Sequence, residues 1–221
     1  MNSFKIIKKL AFNVYLARIN DSEIVVTKSK FGSHYGERKI GQYREWLANR
    51  SKLAAIFLKG YSLNINPDWI VLYLGAASGT TVSHISDILE RGYVYAVEVS
   101  PKPFLKLLEL AKERENIIPI LDDASKPWRY SGIVEKVDLV YQDIAQRDQV
   151  SIFIENTDMY LKKDGEGLII VKARSIDSTV DPKIVFKNVI NDLENKFRVL
   201  KYGSLEPFHK DHIFVHVLLD K

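Results

Sequence analysis

The chemistry of this chain gathers where short apolar runs stop. "WIVLYLG" ends at Gly75, and Ala76, Ala77, Ser78 and Gly79 follow before Thr80 and Thr81. Small residues in such a turn let the backbone approach a ligand closely. The two threonines open a helix, where hydroxyls and free backbone N–H groups suit a carboxylate. "YVYAVEVS" carries Glu98 at the end of the next apolar run, and an acid there can accept two ribose hydroxyls. "ILDDA" offers Asp123, with Asp122 as its neighbouring alternative, to take an adenine amino group. The turn is not a GxGxxG, because Ala77 stands where the second glycine belongs, and no Gly-Lys-Ser/Thr follows. A pyrophosphate is thereby disfavoured. An adenosine carrying an amino acid, S-adenosylmethionine, fits the acids and the helix start together, with NAD as the rival.

Two further runs point at the same crevice. "VYQDIAQ" brings Asp143 and Gln146 to a strand end, and "IIVKARS" brings Lys172. A lysine at a buried strand end is desolvated, which lowers its pKa and suits it to general-base work. Lys52 in "SKLAA" pushes Lys172 the same way, while Asp143 opposes by pairing. The plainer alternatives are a snorkelling Lys172, a solvated helix Lys52 and a capping Asp143. The five histidines are scattered, and "HKDH" alone is weak as a metal site, so no metal is expected.

The elements that must position these residues alternate. From Ser51, "SKLAAIFLKG" reads as a helix that stops at Gly60. The strand "WIVLYLG" is followed by a helix, "TTVSHISDILERG", then by the strand "YVYAVEVS" and the helix "PKPFLKLLELAKERE". "NIIPILDDA" and "KVDLVYQDIAQ" are strands, and "QVSIFIENTDMYLKKDG" a helix. "EGLIIVKARS" is a strand and "PKIVFKNVINDLENK" a helix, and "FRVLKYGSLEP" with "KDHIFVHVLLDK" forms a terminal antiparallel pair. Such alternation predicts a mostly parallel sheet covered on both faces. Residues 1–55 differ. "FKIIK", "NVYLARI" and "EIVVTKS" are short strands and "FGSHYGERKIG" a loop. The expected division is a small antiparallel β domain over 1–55 and an α/β domain over 56–221, with the Lys52 helix at the junction.

Composition narrows the setting. With 221 residues, 46% hydrophobic, the chain can bury a full core, and with no cysteine it has neither disulfides nor thiolate metal sites. No secretory signal or membrane-length apolar run is read, so a cytoplasmic protein is expected. Residues 1–60 hold 12 Lys and Arg against 4 Asp and Glu, a basic front on a chain of net charge +4. That asymmetry suggests a polyanionic partner. No RNA-reading module is recognised, neither an RRM signature nor a KH loop.

"LGAASGTTVSHISDI", "LLELAKERENIIPILDDA", "VYQDIAQ", "IIVKARSID" and "LEPFHKDHIFV" closely resemble fibrillarin in its archaeal form, clearly over about residues 40 to 221. The resemblance implies a Rossmann-like, seven-stranded S-adenosylmethionine-dependent methyltransferase domain behind a small β domain. It implies ribose 2′-O-methylation of rRNA and tRNA inside a box C/D guide ribonucleoprotein. The implied partners are a Nop-family scaffold, a kink-turn-binding protein of the ribosomal L7 type and the guide RNA, which selects the target. The implied cofactor pocket is Gly75, Ala77, Thr80, Thr81, Glu98, Val99, Asp123, Ala124 and Asp143, Ile144, Ala145 and Gln146. The implied catalytic set is Lys52, Asp143, Lys172 and His212, with His209 and Glu206 as nearby alternatives to His212. Three departures stand out. The glycine- and arginine-rich tail of eukaryotic members is missing, the Asp-Pro pair expected before "RSKLAA" is absent, and Val99 replaces an aromatic residue. A free-standing methyltransferase and a non-catalytic structural subunit remain the rival readings.

Overall fold

A computed structural model describes residues 4–219. The N-terminal strands β1 (Phe4–Ala11), β2 (Val14–Ile19) and β3 (Ser22–Lys28) form a meander, continued by β4 (Lys39–Ile40) and β5 (Tyr43–Trp46) in the order β1-β2-β3-β5-β4. The last two strands fall in and just beyond the stretch read as a loop. Their sequence hides them, because Arg44 and Glu45 are buried where alternation demands apolar residues.

The chain then enters α1 (Lys52–Leu58), β6 (Ile70–Leu74), α2 (Thr80–Ile88), β7 (Tyr93–Glu98), α3 (Pro101–Glu113) and β8 (Ile117–Leu121). After a short 3-10 turn at Pro127–Tyr130 come β9 (Val137–Gln142), α4 (Gln149–Tyr160), β10 (Leu161–Lys172), α5 (Ala173–Ile176), α6 (Pro182–Glu194), β11 (Arg198–Ser204) and β12 (His212–Leu218). The second sheet has the order β11-β12-β10-β9-β6-β7-β8. It is parallel from β10 to β8, and β12 runs antiparallel to both β10 and β11. The alternation therefore produced the expected sheet. One boundary moves: α4 stops at Tyr160, and the segment read as its continuation already belongs to β10. Leu161 leaves the helix in an extended conformation, Asp164 within β10 sits at φ 59°, and the register against β9 shifts between Leu161 and Glu166.

Local signals explain the helix starts. Ser51 caps α1 by accepting the Ala54 N–H at 3.4 Å, and Asp181 caps α6 by accepting that of Lys183 at 2.8 Å. Proline opens α3 and α6, where its missing N–H costs nothing.

The two sheets share a core. Val14, Val25 and Trp46 from the first pack in one cluster with Leu53 to Phe57 of α1 and with Tyr73, Val82 and Leu168. Beside it lies a buried ionic knot. Asp87 on α2 accepts from Arg44 Nη1 at 2.6 Å, Arg114 Nη1 at 2.7 Å, Thr27 Oγ1 at 2.8 Å and Ser29 Oγ at 2.6 Å. Arg44 also donates from Nη2 to Glu37 at 2.6 Å. Burial pushes the Glu37 carboxyl up, but the hydrogen bonds and charge of Arg44 and local backbone N–H groups outweigh it and hold it at about 2, against an ordinary 4.5. A carboxyl with a lowered folded pKa stabilises above its unfolded value, and that contribution is lost as pH falls through its folded value. Chemical denaturation should therefore show stability draining away between about pH 4.5 and pH 2. Glu37→Gln should flatten that part of the profile, and an unchanged acid limb would remove Glu37 from the account.

Candidate active site

The turn between β6 and α2 is built from backbone in the left-handed region. Gly75 has φ 82°, Ala77 φ 49° and Gly79 φ 93°. The Gly75 and Ala76 N–H groups both donate to the Val97 carbonyl, at 3.0 and 2.9 Å. A Cβ on Gly75 would run into the Asp143 carbonyl oxygen and stand 2.8 Å from Ile144 Cγ2. Gly75 thus lets β6 and the loop after β9 close on each other. Gly75→Ala should open that junction and weaken S-adenosylmethionine binding by at least roughly tenfold in titration calorimetry. Ala77→Gly, at a φ that glycine adopts freely, is the tolerated control. Equal affinity for the two variants would count against this role for Gly75.

Glu98 is braced from behind. The Ala77 N–H donates to its Oε2 at 2.8 Å and the Ser100 N–H to its Oε1 at 2.7 Å. Each oxygen keeps an acceptor site, so the carboxylate remains able to take a pair of hydroxyls. Val99 beside it is half exposed. At the end of β8, Asp122 pairs with Arg129 at 3.0 Å, whereas Asp123 is more open, with a side chain 27% exposed against 14%. The Ser125 backbone N–H holds the Asp123 carboxyl below the usual range; burial opposes this, and the Ser125 hydroxyl, Lys126 and Arg129 add to it. Ala124 is buried, and its carbonyl accepts from Asn156 Nδ2 at 2.9 Å.

At the start of α2, Gly79 supplies no side-chain cap, so the first-turn N–H groups keep the donor character an anionic tail needs. Thr80 is half buried. The Thr81 hydroxyl is buried 2.9 Å from that of Ser51, the cap of α1. Its side chain joins the turn to the helix that carries Lys52.

The catalytic candidates converge above Gly75. The Asp143 N–H donates to the Leu74 carbonyl at 2.9 Å, and its Oδ2 lies 3.0 Å from Lys52 Nζ. Lys172 and His212 are direct partners across β10 and β12. His212 donates from Nδ1 to the Lys210 carbonyl at 2.6 Å, which leaves Nε2 as its acceptor nitrogen. Burial lowers the His212 pKa, the Lys210 carbonyl raises it, and Lys52, Asp143 and Lys172 all act on it through their charges. These four side chains are therefore electrostatic neighbours. Of the alternatives, His209 donates from Nε2 to the Ala48 carbonyl at 2.8 Å, and the exposed Glu206 accepts the Asp211 N–H at 3.5 Å.

Sequence reasoning missed Gln149. It is fully buried, takes the Lys172 N–H on Oε1 at 3.0 Å and donates from Nε2 to the carbonyls of Gln146 at 2.9 Å and Lys172 at 3.3 Å. It stitches the loop of Ile144, Ala145 and Gln146 to the end of β10. A glutamine at a helix start looks like solvated surface, and only its long-range partners disclose the role.

A glycine turn after the first strand of the parallel sheet, acids ending the next three strands and an antiparallel pair beyond β10 define the Rossmann-like methyltransferase class of α/β proteins. The donor set suits an adenosine with an amino-acid tail: two carboxylates for hydroxyl and amino groups, and an uncapped helix start for a carboxylate. Within that class the fibrillarin family model matches residues 6–221, and the chain belongs to the fibrillarin family. The fibrillarin-like rRNA/tRNA 2′-O-methyltransferase of Archaeoglobus fulgidus is 60% identical over 95% of this chain and 98% of its own. A fibrillarin solved in complex with Nop5p is also 60% identical, with TM-score 0.91 over 95% of this chain and 99% of that one. Aeropyrum pernix fibrillarin, solved with natively bound S-adenosyl-L-methionine, is 38% identical, with TM-score 0.85 over 97% of each chain.

Proposed function

We infer that the chain is an S-adenosylmethionine-dependent ribose 2′-O-methyltransferase acting on rRNA and tRNA, the catalytic subunit of a box C/D guide ribonucleoprotein in the archaeal cytoplasm. The observation that carries the reading is the Lys52–Asp143 pair and the Lys172–His212 cross-strand pair, electrostatic neighbours of which Asp143 abuts Gly75. S-adenosylmethionine would supply an electrophilic methyl on its sulfonium sulfur and leave as S-adenosylhomocysteine once its sulfur–methyl bond has been exchanged for the oxygen–methyl bond. Glu98 holds the ribose hydroxyls of that cofactor, Asp123 its adenine amino group, and the start of α2 its carboxylate. Val99, Ala124, Ile144, Ala145 and Gln146 complete the walls.

A 2′-hydroxyl is a weak acid, so its proton must leave as the oxygen attacks. Lys172 takes that proton. Asp143 orients Lys52, and Lys52 with His212 holds the target ribose and its adjacent phosphate. Much of the acceleration comes from alignment of the nucleophilic oxygen with the methyl group. On this reading the chain divides into a β unit over 1–55 and a methyltransferase unit over 56–221, joined at the Lys52 helix.

Target choice lies outside the chain. A Nop-family scaffold, a kink-turn-binding L7-type protein and a guide RNA supply it, and the basic first 60 residues border the RNA path. The relative solved with Nop5p supports the scaffold partner. Among the described residues no helix is long and apolar enough to cross a membrane.

The test is assembly with the scaffold, the L7-type protein and a guide, following labelled methyl into matching RNA and into the same RNA with one 2′-deoxy target. Transfer that needs both guide and hydroxyl is the expected result. Transfer by the lone chain, indifferent to the guide, would establish a free-standing enzyme instead.

A further inference from the structure

A side chain from the N-terminal region hydrogen-bonds directly to the turn after β6. Tyr35 lies in the loop between β3 and β4, and its hydroxyl donates to the Ser78 carbonyl, inside the turn after β6. A Cβ on Gly79 would stand 2.9 Å from Tyr35 Oη, 2.8 Å from Leu110 Cδ2 and 2.9 Å from Leu107 Cδ1. The rear of the turn therefore rests on Tyr35 and on α3. Burial raises the Tyr35 pKa, so the phenol stays protonated and a donor across ordinary pH.

Tyr35 is itself held. Its N–H donates to Glu37 Oε2 at 2.8 Å, and its carbonyl accepts from Arg50 Nη1 at 3.3 Å. Glu37 is fixed by Arg44, and Arg44 by Asp87 on α2, the helix that continues from the turn. Neighbouring His34 reaches Glu113 on α3 at 3.1 Å. The loop is thus pinned to both helices that flank the turn, with the phenol projecting between them. Ser78 stands between Ala77 and Gly79, both at positive φ, and the Ala77 N–H braces Glu98. A shift of the Ser78 carbonyl moves the Ala77 amide and, through it, the carboxylate.

We propose that Tyr35 is a positioning residue that sets the geometry of the 75–79 turn and hence the affinity for S-adenosylmethionine. The proposal rests on the reading that this turn holds that cofactor. It gives the N-terminal sheet a part in cofactor binding besides any part in assembly.

The test compares wild type, Tyr35→Phe and Asn13→Ala in the full chain. Asn13 Nδ2 donates to the Asp87 carbonyl and to Glu90 Oε1, both at 3.0 Å, and so joins the same sheet to α2 without touching the turn. Calorimetric titration with S-adenosylmethionine should show Tyr35→Phe binding about three- to tenfold more weakly, the size of one lost hydrogen bond. In the assembled particle its KM for the cofactor should rise by a similar factor, with kcat at saturation within about twofold. Asn13→Ala should lower the melting temperature and leave cofactor affinity unchanged. Wild-type affinity in Tyr35→Phe overturns the proposal. So does an equal weakening in Asn13→Ala, which would mean general loosening, or a loss confined to kcat. If wild type itself does not bind the cofactor, the reading of the turn fails and the proposal falls with it. If wild type binds and only the Tyr35 prediction fails, the reading survives.

Discussion

Alanine at Lys172 should slow methyl transfer by roughly 10²–10⁴-fold, the range expected when a positioned proton acceptor is removed. The measurement is single-turnover transfer in the assembled particle, with S-adenosylmethionine affinity measured beside it. Affinity should stay within about twofold, because the cofactor-facing groups assigned above are Glu98, Asp123 and the start of α2, none of which depends on this side chain. The fold should also hold. Lys172 is anchored through its backbone, by the ladder to His212 and by both ends of the Gln149 amide. A variant that keeps a third or more of the wild-type rate would remove Lys172 from the proton-transfer step. Lost affinity with normal transfer at saturation would move it to the cofactor pocket.

The largest expected loss of stability belongs to Asp87→Ala. The Asp87 carboxylate is fully buried between two buried guanidinium groups, Arg44 and Arg114. Arg114 already leaves Nε and Nη2 without a hydrogen-bond partner, and its guanidinium lies 4.1 Å from the centre of the Phe31 ring. Removing the one carboxylate that both arginines share leaves two buried positive charges facing each other. Breaking such a buried pair costs about 3–5 kcal/mol. For a chain of this size that corresponds to a fall in melting temperature of roughly 10 °C. Because Asp87 lies on α2, the loss should carry the N-terminal sheet and the cofactor turn together. A fall of less than about 2 °C would show that water or a rearranged neighbour replaces the carboxylate.

The parts that could be read in the sequence are those whose signals are local. The strand ends that carry Glu98, Asp123, Asp143 and Lys172 are each an apolar run followed by a polar residue. Ser51 before an apolar helix is a local cap signal, and it placed the Lys52 helix correctly. What stayed hidden depends on partners far along the chain. Arg44 looks like a surface residue until Asp87 is placed beside it, and nothing local marks the strand that carries it. The tie from the Thr81 hydroxyl to Ser51 is hidden in the same way. Gln149 and Tyr35 act through backbone atoms of distant segments, and no spacing rule marks such contacts.

The placement of β12 bears on how the protein is made. It lies between β11 and β10, antiparallel to both, although it follows them in the chain, and it brings His212 to Lys172. A nascent chain released before residue 212 lacks His212 and all of β12, and so it leaves the β10 edge unpaired. A bare apolar edge of this kind is a template for pairing with other chains. Premature termination ahead of β12 would therefore yield a product inclined to aggregate, one that quality control could recognise by its exposed edge.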